Sequence, residues 1–224
     1  MTDYGQFCPV SKASEVVCRP WTPLIVRELL VGSSRFNEIR RGIPTCSPAL
    51  LSKRLKELTL AGVITHEGPD GAYRLTDAGR ELFPLIQSLG EWGQRWVRSD
   101  YGPDDLDPGL LLWDVRRYVD PKGLGNGRTV VQFSFPSMAP ARRYYWMVLD
   151  GNEADLCLTE PGDEVDVEVT GDLGALTKVW MGDSTFRAAL SEGSLMLHGR
   201  RTVTSRIPAW FGQHPVLAGI PKAG

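Results

Sequence analysis

The chain contains the stretch Ser47-Pro48-Ala49-Leu50-Leu51-Ser52-Lys53-Arg54-Leu55-Lys56-Glu57-Leu58, which decides the fold of its first part. Serine is a preferred helix N-cap, and a proline directly after it suits the first helical turn, where its missing N–H costs nothing. Three leucines then recur at helical spacing: Leu51, Leu55 and Leu58. The pattern predicts a helix that buries a leucine stripe and leaves its basic side chains off that stripe.

Three shorter helical segments precede this helix. Residues 9–31 give two of them, separated by the Arg19–Pro23 stretch, and we expect Thr22 to cap the second. Arg35–Arg41 gives a short third helix that ends at a glycine. A turn then leads to Ser47, so the order is helix, helix, short helix, turn and helix.

A β-hairpin is expected after the leucine-striped helix. Val63–Glu67 and Ala72–Leu75 flank a turn at Gly68–Gly71, and Thr76 is placed to cap a last helix that ends near Arg98. Helix, short helix, turn, basic helix and hairpin form the order of a winged helix-turn-helix domain, in which the basic helix enters the DNA major groove.

The charge distribution is consistent with DNA binding, although the whole chain has a formal charge of −2. Residues 1–102 carry 13 Lys and Arg against 11 Asp and Glu, whereas residues 103–224 carry 12 against 16. Within residues 35–56 there are six basic residues and one acid. Positive charge is therefore concentrated where the helix-turn-helix is expected.

A single DNA-binding surface is expected from the third helix, the fourth helix and the wing. The N-terminal residues of a recognition helix reach base edges, while neighbouring basic side chains bind phosphates. The candidate residues are Arg35, Ser47, Pro48, Ala49, Leu50, Lys53, Arg54, Lys56 and Arg74. A basic helix face in isolation is more often an ordinary solvated surface, but the order of elements favours DNA recognition here.

Several short motifs of the first hundred residues resemble the HxlR-type winged-helix regulators over residues 8–98. They are Cys8-Pro9-Val10, Arg19-Pro20-Trp21-Thr22, Arg35-Phe36-Asn37-Glu38-Ile39, Ser47-Pro48, Leu51–Leu58, Gly62-Val63-Ile64 and Tyr73–Gly79. The resemblance implies a homodimer on a double-stranded, palindromic or near-palindromic operator, with dimer contacts from the first and last helices of the domain. Cys8 matches a position that acts as a redox switch in some members, with ordinary packing as the alternative.

The last helix of this domain carries more apolar side chains than an isolated surface helix should expose. They are Leu82, Phe83, Leu85, Ile86, Leu89, Trp92 and Trp96. Large exposed apolar patches mark interaction sites. Part of this face is therefore expected to contact a partner subunit.

A domain boundary is predicted within the acidic turn-rich stretch Tyr101–Asp105, which gives a first domain of residues 1–102 and a second domain of residues 103–224. Five strands are expected, with a helical stretch at Asp172–Leu190 before the last one: Thr129–Phe135, Tyr144–Leu149, Ala154–Thr159, Val165–Thr170 and Ser194–His198. The whole chain is therefore assigned to the α+β class, with a winged helix-turn-helix followed by a domain with a mainly antiparallel sheet.

The region between residues 128 and 200 resembles the closing half of sterol-carrier-protein-like domains. In those proteins a strand, a helix and a final strand with an intervening glycine wall an apolar tunnel. The resemblance implies a cavity for an apolar small-molecule effector lined by Phe133, Phe135, Tyr145, Met147, Trp180, Met181, Phe186 and Met196. The alternative is a filled core, since aromatic and methionine side chains at strand spacing are usually core residues.

The sequence predicts no enzyme, cofactor or metal site. The three histidines and the four cysteines form neither a catalytic set nor a spacing suited to zinc. No apolar run is long enough to cross a membrane and no leader pattern opens the chain, so we expect a cytoplasmic protein.

Two functions follow from these patterns. The first is a sequence-specific DNA-binding transcription regulator, modulated by an apolar effector in the C-terminal domain. The alternative is a carrier or scaffold in which the winged helix serves protein association and the second domain binds a lipid or another apolar ligand.

Overall fold

The chain forms two compact units, Met1–Gly93 and Gln94–Gly224. The structure is a computed structural model that describes residues 4–66, 71–97, 101–102, 104–125 and 127–221. The division falls within a helix, a few residues ahead of the Tyr101–Asp105 stretch that the sequence suggests as a boundary. The domain limits of 1–102 and 103–224 stay a prediction.

The first unit contains the expected helix-turn-helix and wing. Its elements, in chain order, are α1 (Pro9–Val17), α2 (Thr22–Leu30), α3 (Phe36–Gly42), α4 (Pro48–Leu60), β1 (Ile64–His66), β2 (Tyr73–Leu75), α5 (Asp77–Arg80) and α6 (Phe83–Trp96). The two strands pair antiparallel. Leu51, Leu55 and Leu58 of α4 pack with Ile25 and Ile39 in one hydrophobic core, so the leucine stripe places α4 against α2 and α3.

Two helix starts differ from the sequence expectation. Trp21, rather than Thr22, is the N-cap of α2, with a left-handed φ of 74°, and Thr22 is the first helical residue. The Thr76 hydroxyl does accept a hydrogen bond from the Gly79 N–H, but the helix it caps is the short α5, and a break at Glu81–Leu82 precedes α6. Arg98 and residues 68–70 of the expected wing turn lie outside the described residues.

The second unit is an α+β domain. Its elements are α7 (Pro108–Val115), β3 (Thr129–Ser134), β4 (Tyr144–Asp150), β5 (Glu153–Cys157), β6 (Val167–Gly171), α8 (Leu173–Trp180), α9 (Phe186–Ser191), β7 (Leu195–Gly199), α10 (Arg201–Thr204) and α11 (Ile207–Phe211), with a 3-10 turn at Pro140–Arg142. The expected helical stretch Asp172–Leu190 is two helices, because the segment Met181–Thr185 forms a turn between α8 and α9.

The five strands form one sheet in the order β5-β4-β3-β6-β7. Three of its pairings are antiparallel, as expected, but β3 and β6 pair in parallel, with Val131 opposite Val167. The sheet is therefore mixed. Because side chains alternate along a strand, Phe133, Met147 and Val169 share one face and pack in the core with the helices.

Candidate nucleic-acid interface

The N-terminus of α4 is built as the sequence predicts. The Ser47 hydroxyl accepts a hydrogen bond from the Leu50 N–H at 3.3 Å, and Pro48 opens the helix. The three leucines of the stripe are at most 2% exposed. This burial fixes the rotation of α4, so the opposite face of the helix is presented to solvent.

The candidate DNA-binding residues on α4 do not share one environment. Ser47, Pro48, Ala49, Lys53 and Lys56 are exposed, and Leu50 is half-buried. Ala49, Lys53 and Lys56 lie three or four residues apart, so they follow one face of the helix. This exposed face carries two ammonium groups beside a small side chain, which lets the helix approach another surface closely.

Arg54 differs from the two lysines because the protein itself binds its guanidinium group. Its Nε donates to the Pro20 carbonyl at 2.9 Å and its Nη1 donates to Glu57 Oε2 at 2.5 Å. Only 13% of the side chain is exposed. Arg54 therefore connects α4 to the α1–α2 turn, a role that the leucine spacing alone does not reveal.

Glu57 binds a second cation from the α1–α2 turn, Arg19. Arg19 Nη1 lies 3.3 Å from Glu57 Oε2, and Arg19 Nε donates to the Glu15 carbonyl at 2.6 Å. Burial raises the pKa of Glu57, but the hydrogen bonds and positive charges of Arg54 and Arg19 outweigh burial and hold that pKa below its usual value. The carboxylate thus stays ionised and holds both arginines near the C-terminal end of α4.

Arg35 and Glu38 order the start of α3, the first helix of the helix-turn-helix. Arg35 is its exposed N-cap, and Glu38 Oε2 accepts hydrogen bonds from the backbone N–H groups of Ser34 and Arg35 at 2.8 and 3.0 Å. Burial raises the pKa of Glu38, but these hydrogen bonds prevail and leave its pKa below the usual value. A carboxylate in the first turn of a helix is also favoured by the helix dipole.

Glu28 of α2 is a fully buried carboxylate that lies against the end of α3. Its Oε2 accepts from the Ser33 hydroxyl at 3.0 Å, and its Oε1 accepts from Arg27 Nη2 at 2.9 Å. Arg27 also donates to the Gly42 carbonyl at 2.8 Å. A Cβ atom at Gly42 would lie 1.9 Å from Glu28 Cδ, so only glycine fits where α3 ends.

The wing presents Arg74, which is exposed on β2. His66 and Tyr73 face each other across the hairpin, and their rings stack with centroids 4.0 Å apart. The Tyr73 N–H donates to the Ser34 carbonyl at 2.7 Å. This bond holds the wing beside the start of α3, within the same unit as α4.

An apolar surface runs along α6. Its exposed members are Phe83, Leu85, Leu89, Trp92 and Trp96, each more than half exposed, whereas Leu82 and Ile86 pack on the core of the first unit. α6 is strongly amphipathic: at about 100° per residue most of these side chains lie on one broad apolar side of the helix, of which Leu82 and Ile86 form one border. The exposed remainder of that side is therefore available to a partner.

The expected ligand-binding residues of the second unit do not share one surface. Six are buried in a single hydrophobic core: Phe133, Phe135, Tyr145, Met147, Trp180 and Phe186. Met181 is partly buried against that core, while Met196 is 58% exposed on β7. Edge-to-face contacts such as Trp180 with Phe211, with centroids 5.9 Å apart, fill space among these rings. A ligand cavity lined by these residues stays a prediction.

The cysteines differ in burial. Cys8 is half-buried and is the N-cap of α1, and Cys18 is exposed. Burial raises the pKa of the Cys46 thiol, and the charge of Arg54 opposes that effect without cancelling it. Among the described residues there is no cluster of His, Cys, Asp and Glu suited to a metal ion, and the redox role of Cys8 stays a prediction.

The fold and the α4 surface define a winged helix-turn-helix protein of the DNA-binding class. A family model described as HxlR-like helix-turn-helix matches residues 16–101. The HTH-type transcriptional regulator YvaP of Bacillus subtilis (strain 168) is 39% identical over 103 residues, which are 43% of this chain and 95% of YvaP. The chain belongs to this HxlR-like family of transcriptional regulators.

Other matches cover a similar share of the chain. The HTH-type transcriptional regulator YybR of the same Bacillus strain is 33% identical over 106 residues, which are 44% of this chain and 85% of YybR. The structure of the redox regulator HypR in its reduced form is 30% identical, covers 39% of this chain and 91% of HypR, and gives a TM-score of 0.36. Within the described ranges, no helix has both the length and the apolar character needed to cross a bilayer.

Proposed function

We propose that this regulator binds a palindromic or near-palindromic operator through the exposed face of α4, with Lys53 and Lys56 as its principal cationic contacts. The observation that carries the proposal is the orientation of α4: the leucines of the stripe, Leu51, Leu55 and Leu58, are buried, and its two lysines are exposed on one face. Ser47, Pro48, Ala49 and Leu50 form the N-terminal turn that would approach base edges. Arg35 and Arg74 would contact the DNA backbone from either side of that turn.

The proposed role of Arg54 is to position α4 rather than to contact DNA directly. Its guanidinium group is already bound by Glu57 and the Pro20 carbonyl. If the Arg54 guanidinium group moved to a DNA phosphate, the Glu57 carboxylate would lose one of its two cations and keep only Arg19. Lys53 and Lys56 have no such competing contact in the ion pairs of the described chain, and they can bind phosphates without loss.

A homodimer is proposed as the DNA-binding form, with α6 in the dimer contact. The exposed Leu85, Leu89, Trp92 and Trp96 favour burial against an equal surface, because closed two-fold interfaces bring one patch against itself. A two-fold dimer would present two α4 helices to half-sites about 34 Å apart along the DNA. The operator symmetry then follows from the symmetry of the protein.

The second domain is proposed to bind an apolar small molecule, in line with its resemblance to sterol-carrier-protein-like domains. Support comes from the order of elements: strand β6, helices α8 and α9, and the final strand β7. Gly193 lies just before β7. This is the order that the resemblance implies. The domain also has its own sheet and core. Binding inside that core would require some of its aromatic side chains to change rotamer.

A DNA-binding experiment tests the α4 assignment. Lys53→Ala should weaken binding to DNA from upstream of the protein's own gene, by about 1–3 kcal/mol if the side chain contacts a base and less for a phosphate contact. The control is Lys178→Ala, which removes the same charge from an exposed position of α8 and should leave binding unchanged. Mobility shifts over a range of salt concentrations provide the measurement. Equal affinity of Lys53→Ala and wild type, at equal thermal stability, would exclude α4 as the recognition helix.

A further inference from the structure

The strand β7 is an edge of the sheet, and its outer backbone groups can be identified from its pairing with β6. The Asp172 N–H donates to the Ser194 carbonyl at 2.9 Å, and the Arg200 N–H donates to the Asp166 carbonyl at 3.4 Å. In the observed antiparallel register these bonds place Met196 and His198 in the hydrogen-bonded pairs with β6. The N–H and carbonyl groups of Leu195, Leu197 and Gly199 therefore point away from the sheet.

Open space lies around β7. One groove of about 480 Å³ is lined by residues that include Leu197, His198 and Arg201. A second groove, of about 600 Å³, is lined by Met196 and His198 together with Glu168 and Thr170 of β6, so it lies over the face of the sheet that these side chains share. Met196, His198 and Gly199 are themselves exposed, so β7 is accessible to solvent within the described chain.

The protein's own side chains bind part of the opposite edge of the sheet. β5 follows β4 through a tight turn, with Asp150 opposite Glu153, so the alternate residues Ala154 and Leu156 direct their backbone groups outward. Arg116 Nη1 donates to the Ala154 carbonyl at 3.2 Å, and Asp155 Oδ1 accepts from the Leu156 N–H at 2.8 Å.

By contrast, no group of the described residues hydrogen-bonds the outward N–H or carbonyl groups of Leu195, Leu197 and Gly199. Proteins usually protect exposed edges, because an unprotected edge is a template for another strand. The two edges therefore differ: side chains bind two of the four outward groups of Ala154 and Leu156 on β5, whereas the outward groups of β7 have no such contact within the described residues.

We propose that β7 pairs antiparallel with β7 of a second copy of this chain, about a two-fold axis at Leu197. In this register Leu197 faces its own copy and Leu195 faces Gly199 of the other chain. These are the residues whose backbone groups point outward, so every outward donor and acceptor gains a partner. The interaction is separate from the α6 contact and does not require DNA.

The side chains next to β7 are compatible with a second copy. Glu192 precedes the strand and Arg201 follows it, both are exposed, and neither forms an ion pair with another described residue. If the register is continued past the strand ends, Glu192 of each chain falls opposite Thr202 of the other, one residue from Arg201. Gly199 offers no side chain where Leu195 of the second copy arrives, and the exposed Met196 would lie opposite His198.

Register-specific disulfides test this pairing in the full-length protein. Met196 and His198 would form a pair without backbone hydrogen bonds, the position where opposite side chains are closest. Chains with Met196→Cys and chains with His198→Cys, carrying different tags, are co-expressed and mildly oxidised. We expect a 196–198 disulfide between chains, identified by mass spectrometry. Each single variant alone and the wild type, with its native cysteines, serve as controls.

Charge reversal supplies a second, independent readout. In the same cysteine background, Glu192→Arg or Arg201→Glu should reduce the 196–198 product at low salt at least about tenfold, and the double reversal should restore it. Equal yields in mixed and single samples, or no product in the mixed sample, would overturn the proposal and favour an extended peptide or another partner at this edge. A double reversal that fails to restore the yield would also overturn it.

Discussion

At the residue scale, the adjacent basic residues Lys53 and Arg54 have different surroundings although the sequence gives them similar roles. Lys53 is exposed on α4, whereas Arg54 is bound by Glu57 and by the Pro20 carbonyl. A residue one position along a helix is rotated by about 100°, which suffices to move a side chain from the solvent face to the flank of the domain. Substitutions at the two positions should therefore separate binding from stability.

Arg54→Ala should lower both the free energy of unfolding and DNA affinity. The loss of unfolding free energy should be about 1–3 kcal/mol, because Glu57 and the Pro20 carbonyl lose a charged donor. Urea denaturation and mobility shifts measure the two quantities on the same preparation. Lys53→Ala is the matched control and should change affinity alone. Unchanged stability in Arg54→Ala, with a loss of affinity as large as that of Lys53→Ala, would instead make Arg54 a direct DNA contact.

The Glu38 carboxylate should make stability depend on pH. Its pKa is lowered in the folded protein, so its contribution is fully present above the unfolded value of about 4.3 and is lost as pH falls through the folded value. Glu38→Gln keeps an acceptor but removes the charge, which should cost about 1 kcal/mol near pH 7. Urea midpoints between pH 3 and pH 7 should show the gap to wild type closing at the acid end. A gap independent of pH would show that charge is not its cause.

At the element scale, the sequence predicts best those elements whose signals are local. The Ser47 cap, the following proline and the leucine spacing predict α4 almost to the residue. α7 was not predicted, because Pro108–Val115 is apolar on nearly every side and shows no helical period. The parallel pairing of β3 with β6 was missed for another reason: it joins residues that are 36 apart in sequence, Val131 and Val167, and strand alternation does not specify a partner.

The amphipathic helix α6 allows a prediction about assembly. Trp92 is 59% exposed, and buried tryptophans often dominate interface energies, with losses of about 2 kcal/mol or more on truncation. Trp92→Lys should therefore raise the dimer dissociation constant by more than about tenfold, as measured by analytical ultracentrifugation. Leu158→Lys, at an equally exposed position of the second unit, is the control and should have no such effect. Equal dissociation constants for both variants and wild type would remove α6 from the dimer contact.

At the scale of the whole molecule, the two units differ in how much of their function the sequence reveals. The first unit has a surface whose chemistry follows from helix periodicity, as the exposure of Lys53 and Lys56 illustrates. In the second unit the same aromatic and methionine pattern is compatible with a cavity or with a filled core, because burial alone does not distinguish them. Phe133 and Met147 are both fully buried, which either arrangement would require.

One helix belongs to both units and offers a route for coupling between them. α6 begins at Phe83, in the first unit, and its last residues, from Gln94, belong to the second. Within the second unit the Gln94 side chain is buried, and its Nε2 donates to the Met181 carbonyl at 3.3 Å, at the end of α8. We propose that a ligand that changes the α8–α9 turn acts on DNA affinity through this last turn of α6.

An apolar ligand of the second domain should change operator affinity, by about 1–3 kcal/mol, and the operator should change ligand affinity by the same factor, because coupling between two binding sites is reciprocal. Calorimetry on the full-length protein against a panel of apolar compounds, with and without operator DNA, measures both quantities. Gln94→Leu keeps the size of the side chain but removes its hydrogen bond to Met181, so both affinities should persist while the coupling falls. Coupling equal to wild type in Gln94→Leu would exclude this route. Ligand binding that leaves the DNA affinity of the wild type unchanged would retain the binding site but refute its regulatory role. If no compound binds, the second domain would instead serve dimerisation or another protein contact.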